Sequence, residues 1–141
     1  MKNHKGFSLL ESMIVVAIIL IIAMIAAPNL LRSQQAAKES SAVAQLRTIN
    51  TAEVTYISSN QGSYGDIPAL ISQGLLDSRF TGSISGYLFS LNASGNNYTA
   101  DATAVSSNAG RFDFYTQPDY IIRYSTDLTR APAGLSGEPV R

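Results

Sequence analysis

The hydrophobic residues of this chain are concentrated in one block near its start. Every residue from Met13 to Ala27 is apolar, and three apolar residues before this run extend the block backwards across a single acid, Glu11. At about 1.5 Å per residue, a helix over residues 7–27 is roughly 30 Å long, which matches the hydrocarbon thickness of a bilayer. The block therefore predicts a membrane-spanning helix.

The helical pattern continues beyond this block. Residues 29–60 contain no proline or glycine and are rich in Ala, Gln, Glu, Arg and Leu. One helical stripe in this stretch carries the apolar residues Val43, Leu46, Ile49 and Tyr56. Pro28 cannot donate a hydrogen bond, so we expect it to kink the helix there. The pattern predicts one helix over residues 7–60, apolar all round in its first half and amphipathic in its second.

The remainder of the chain has the pattern of an antiparallel sheet. Residues 61–65 break the long helix, and Asp66 with Pro68 predicts the start of a short helix that runs through Gln73 and closes at Gly74. Apolar residues then recur with period two in four segments, around 87–91, 98–104, 112–114 and 120–124, separated by short turn-rich stretches.

This order of elements predicts an α+β fold. A four-stranded antiparallel meander needs cover for its apolar face, and the amphipathic half of the long helix supplies it. The tail from Thr129 is rich in proline and glycine, which predicts an irregular or edge segment.

Composition excludes most catalytic designs. Ten basic residues balance ten acidic ones, so the chain has no net charge that would attract nucleic acid. There are no cysteines, the single histidine is His4, and no phosphate-cradling glycine motif followed by lysine occurs. We therefore expect no enzyme and no cofactor.

Some side chains of the second half suggest binding or modification. Asp113, Asp119 and Asp127 lack the spacing of a calcium loop, so we expect no metal site. Asn92 and Asn97 each begin an N-glycosylation pattern, although so short a motif often arises by chance. The seven tyrosines are typical of packing residues in short strands.

The charges around the apolar block bear on its orientation. Lys2 and Lys5 precede it, which favours a cytoplasmic N-terminus, whereas Arg32 and Lys38 on the far side weaken that bias. A carboxylate in the hydrocarbon core costs about 2.5 kcal/mol or more, so Glu11 either lies close enough to the interface to reach water or has a partner charge on a neighbouring chain. A conventional signal peptide is disfavoured because its apolar region is shorter and ends at a small-x-small cleavage site.

The sequence Lys5-Gly6-Phe7-Ser8-Leu9-Leu10-Glu11, followed by the apolar run to Pro28, resembles the N-terminus of type IV pilins and type II secretion pseudopilins. The resemblance implies a pilin-like fold, cleavage by a prepilin peptidase after Gly6 and methylation of the new amine of Phe7. It also implies that Glu11 neutralises the N-terminal amine of an adjacent subunit during assembly. Ser8, Ser12 and Leu20 depart from the common pattern, in which threonine, leucine and glycine are frequent.

The resemblance divides the chain into functional parts. Residues 1–6 are the expected leader, residues 7–30 the membrane and assembly half of the helix, residues 31–60 its amphipathic half and residues 61–141 the globular part. The expected partners are copies of the chain and related pilins, the prepilin peptidase/methyltransferase, an assembly platform and the membrane.

The resemblance leads to one preferred function and two alternatives. The subunit would be stored in the inner membrane and end in an extracellular pilus-like filament, to which Glu11 and Pro28 contribute as assembly residues. One alternative is a pseudopilin in a periplasmic pseudopilus. The other, of a different class, is a membrane-anchored binding domain that does not polymerise.

Overall fold

The structure is a computed structural model that describes residues 6–125 and 137–140. Its dominant element is helix α1, Leu9–Ser59, of 51 residues, which does not stop at Pro28. The chain divides into two compact units, and the division falls within α1 between Ser33 and Gln34. The predicted continuation of the helix past Pro28 is therefore confirmed, while the kink stays a prediction.

The first unit consists of the apolar half of α1. Its described side chains are all exposed, and α1 is long and apolar enough in this part to cross a membrane. Exposed leucine, isoleucine and methionine over so many consecutive turns would be unfavourable in water. This half of α1 therefore needs lipid or other apolar helices around it.

The second unit packs the rest of α1 on one antiparallel sheet. The remaining helices are α2, Ile67–Ser72, and a 3₁₀ turn at Ser78–Thr81. The strands lie in the sheet in chain order: β1 Ser83–Ile84, β2 Tyr87–Ser94, β3 Asn97–Ala104, β4 Phe114–Thr116, β5 Arg123–Tyr124 and β6 Glu138–Pro139. The predicted α+β architecture, a long helix on an antiparallel meander, is confirmed.

The period-two pattern of apolar residues in the sequence matches the pattern of buried side chains along the strands. Side chains alternate between buried and exposed along β2 and the first part of β3. The inner residues join the apolar stripe of α1 in a single core, whose fully buried members include Leu46, Ile49, Tyr87 and Tyr98. Asp66 caps α2 by accepting a hydrogen bond from the backbone N–H of Ala69 at 2.9 Å, as the Asp-x-Pro pattern predicts.

The number and bounds of the strands differ from the prediction. The described sheet has six strands rather than four, because β1 and β6 are two-residue pairings too short to show a period-two pattern. The strand predicted at residues 120–124 is shorter in the structure than in the prediction. Tyr120 has a φ of 60° and donates its N–H to Gln117 O at 2.8 Å, so it lies in a turn, and β5 begins only at Arg123. Most of the tail from Thr129 lies outside the described residues, and its end forms edge strand β6.

Candidate assembly interface

Helix α1 begins next to the residues that the sequence singles out. The N–H of Ser12 donates to the carbonyl of Ser8 at 3.2 Å, which makes Ser8 the residue before the first helical turn and puts Glu11 within that turn. A carboxylate there lies near the positive end of the helix dipole, which stabilises it. Ser8 and Glu11 also have the spacing of a capping box, which is a local signal for the start of a helix.

Gly6, Phe7 and Glu11 are all exposed in the isolated chain. Phe7 is 75% exposed, and a Cβ added at Gly6 would meet no atom within 4 Å. The chain itself therefore has room for a side chain at position 6, so any requirement for glycine there comes from a molecule that binds this segment. The Glu11 carboxylate has no hydrogen bond or ion pair with any residue that the structure describes.

Pro28 lies in the same helix but far from Glu11 along it. The two are 17 residues apart, or about 25 Å at the usual helical rise, so they do not form one site. The side chain of Asn29 donates to the carbonyl of Ile25 at 3.1 Å, one turn back on the helix. The roles expected of Gly6, Phe7, Glu11 and Pro28 depend on other molecules and stay predictions.

An ion pair joins the second half of α1 to the loop between β3 and β4. Glu39, which is buried, accepts from the backbone N–H of Arg111 at 2.7 Å and from its Nε and Nη2 at 3.1 and 2.9 Å. The guanidinium also lies 5.2 Å from the ring centroid of Phe112. Such a bidentate, charge-assisted contact restricts the loop more strongly than a neutral hydrogen bond does.

A buried chain of hydrogen bonds joins α1 to the centre of the sheet. The hydroxyl of Tyr98 donates to the side-chain oxygen of Asn50 at 2.7 Å, and the Asn50 amide donates to the hydroxyl of Thr116 at 3.1 Å. These groups have fixed directions, so they specify one register of the helix on the sheet.

A third polar residue of α1, Glu53, is completely buried. One of its oxygens accepts from the backbone N–H of Gly65 at 3.1 Å, and the other has no partner among the described residues. Burial raises the pKa of this carboxyl to about 7, against an ordinary value of 4.5, and the charge of Asp66 adds to the shift. Glu53 therefore titrates near neutral pH.

The structure assigns structural partners to the other candidate residues. Asp113 accepts a hydrogen bond from the backbone N–H of Ala104, and Asp119 forms an ion pair with Arg123. Among the described residues no group of acids or histidines has the geometry of a metal site. His4 and Asp127 lie outside the described residues. Asn92 and Asn97 are exposed near the β2–β3 turn.

Comparisons with known proteins support the resemblance seen at the N-terminus. Residues 1–27 match the family model described as the prokaryotic N-terminal methylation motif. The chain is 39% identical over 75 residues to the type IV wide pilus major component of Thermus thermophilus, covering 53% of this chain and 57% of that protein. It is 46% identical over 56 residues to the type IV major pilin protein of Myxococcus xanthus, covering 40% of this chain and 26% of that protein.

The chain matches only part of the length of these relatives. The chain spans little more than half of the first relative and about a quarter of the second. The predicted resemblance to type IV pilins is nevertheless confirmed, since one relative is a pilus component and the other a pilin.

Proposed function

We propose that this chain, which is similar over part of its length to type IV pilins, is a structural subunit of a type IV pilus-like filament. The observation that carries the proposal is the apolar half of α1, which is exposed on every side and contains one acid, Glu11, without a partner in the described chain. A helix of this kind is stable in lipid and, outside lipid, in contact with other helices like it.

The membrane would hold the subunit before assembly. The apolar half of α1 spans the inner membrane, with residues 1–6 on the cytoplasmic side and the sheet domain beyond the opposite face. A prepilin peptidase removes the leader after Gly6 and methylates the amine of Phe7. The exposed position of both residues supports access by such an enzyme.

Assembly would transfer the helix from lipid to a core of helices. A buried carboxylate without a partner is costly, whereas two buried opposite charges cost far less together than one alone. The new amine of Phe7 in an adjacent subunit supplies a positive charge for Glu11. The sheet domains then form the outside of the filament, and the assembly platform and related pilins are the remaining partners.

Two other functions would account for some of the same features of the chain. A type II secretion pseudopilin has the same processing site, but both relatives reported above are components of pili, which favours the pilus. A membrane-anchored binding domain that does not polymerise would keep its leader and remain a monomer in detergent.

The test is intact-mass measurement and N-terminal sequencing of the protein from its native host, together with electron microscopy of filaments sheared from the cells. The proposal expects a chain that begins at Phe7 with one added methyl group and is the repeating component of a filament. A chain that begins at Met1 and stays in the membrane would contradict it.

A further inference from the structure

The outward face of α1 in the second unit is unusually poor in charge for an exposed helix. The residues that alternate with the buried stripe between 44 and 58 are exposed, and they are Ala44, Arg47, Thr48, Thr51, Val54, Thr55 and Ser58. An exposed helical face of a globular protein normally carries several charged side chains. This one, which we call the outward face, carries only Arg47.

The hydroxyl groups on the outward face already have partners in their own helix. Thr48, Thr51 and Thr55 donate to the carbonyls four residues back at 3.1, 2.9 and 3.0 Å. Ser58 donates to the carbonyl of Thr55 at 2.6 Å. Removing these four hydroxyl groups from water leaves none of them unpaired, so this part of the face presents methyl groups at little polar cost.

An apolar side chain of α1 and one from the sheet domain contribute to this surface. Val54 is 47% exposed, and Tyr120 is 42% exposed. Val54 and Tyr120 line a shallow groove of about 350 Å³ together with Arg47 and Thr51. The outward face therefore has the shape and chemistry to receive an apolar helix.

The charge pattern of the chain identifies that helix. The guanidinium of Arg47 has no hydrogen bond or ion pair with any described residue, and a guanidinium in an apolar interface needs an acceptor. Residues 7–38 contain a single acid, Glu11, in the apolar half of α1. A carboxylate has acceptor sites for more than one donor, so it can bind a guanidinium in addition to an amine.

We propose that the outward face of α1 binds the apolar half of α1 from a second copy, in a parallel register that sets Arg47 beside Glu11 of that copy. The inference rests on the proposed filament. Two parallel α-helices have the same periodicity, so in this register the residues four and seven places after Glu11 face those four and seven places after Arg47. Val15 then meets Thr51, and Ile18 meets Val54.

Cysteine cross-linking tests the register, since the chain has no cysteine of its own. Filaments of the double variant Val15→Cys/Thr51→Cys should yield a ladder of disulfide-linked subunits on mild oxidation. The matched control, Ile25→Cys/Thr51→Cys, moves one cysteine ten residues along the same helix and should yield none. A ladder in the control instead, or assembled filaments of the first variant that do not cross-link, would overturn the register and leave the filament proposal standing.

A second measurement needs no cysteine. We expect Arg47→Gln to lower the filament yield at least about tenfold, Arg47→Lys to restore most of it, and Arg32→Gln, which alters another exposed cation of α1, to leave it unchanged. The thermal unfolding of the detergent-solubilised full chain should be the same in all four proteins. Equal filament yields from Arg47→Gln and Arg32→Gln would overturn the pairing, whereas an unaltered chain that forms no filaments would overturn the proposed function itself.

Discussion

The carboxylate of Glu53 accepts a hydrogen bond from the backbone N–H of Gly65 at 3.1 Å, and this contact ties the last turns of α1 to the segment that leads into α2. Gly65 has no room for a side chain, because a Cβ there would lie 2.8 Å from the ring of Tyr56. Helix, loop and ring are thus in direct contact at one point of the second unit.

The first prediction concerns the charge of Glu53. Its pKa is about 4.5 unfolded and about 7 folded, so its favourable contribution is complete below pH 4.5 and is lost as the pH rises through 7. Glu53→Gln keeps an oxygen for the Gly65 N–H without ionising. At pH 8 this variant should have a free energy of unfolding about 3 kcal/mol higher than that of the unaltered chain, and at pH 4 the two values should be about the same.

Urea unfolding of the detergent-solubilised chain between pH 4 and 8 measures this difference. Glu138→Gln, at an exposed position of β6, is the matched control and should follow the unaltered chain throughout. Parallel stability curves for Glu53→Gln and the unaltered chain would show that Glu53 does not titrate with a raised pKa.

The second prediction concerns the space at Gly65. Gly65→Ala should lower the free energy of unfolding by about 1–3 kcal/mol, because the new methyl group overlaps the Tyr56 ring. In a Tyr56→Leu background, Gly65→Ala should lower the free energy of unfolding by clearly less. Gly82→Ala, where the nearest atom is 3.8 Å away, should change the stability by less than about 0.5 kcal/mol.

The third prediction concerns the ion pair of Glu39. Glu39→Ala removes the acceptor of three hydrogen bonds from Arg111 and should cost about 2–3 kcal/mol in urea unfolding. Gln35→Ala is the matched comparison, since the Gln35 amide donates to Ser107 in the same loop at 2.9 Å but is neutral and solvent-accessible. It should cost under about 1 kcal/mol, and an equal cost for both changes would contradict the stronger role of the ion pair.

The fourth prediction concerns Glu11 in the proposed filament. Glu11→Ala should be processed at Gly6 as usual but should lower the filament yield at least about tenfold, because the amine of the neighbouring chain is left buried without an acceptor. Mass spectrometry of the membrane fraction and the yield of sheared filaments measure the two steps. Ser12→Ala, the adjacent control, should leave both unchanged, and normal filaments from Glu11→Ala would remove the assigned role.

The fold of several segments could be predicted because their signals are local. Asp66 and Pro68 predict α2 within a few residues, and the alternation at 87–91 predicts the inner face of β2. The segments of β1 and β6 carry no such signal. β1 and β6 exist because neighbouring strands offer free backbone groups, which a sequence pattern does not reveal.

The buried polar residues of α1 could not be predicted from the sequence. Glu39, Asn50 and Glu53 look like members of a polar helical face, yet all three are buried. Their burial depends on partners distant in the chain: Arg111 is 72 residues from Glu39, and Tyr98 is 48 residues from Asn50. Sequence periodicity indicates which helical face is polar on average. It does not indicate whether folding will bring a distant hydrogen-bond partner to a buried polar group.

The sequence by itself determined the apolar half of α1, its single acid and the change from helical to strand periodicity, because transfer of apolar side chains out of water depends chiefly on local composition. Only the tertiary structure decided which polar groups of α1 are buried and how the helix lies on the sheet. A buried polar group is stable only where folding brings a partner to it, and that partner is chosen by the packing of the whole domain.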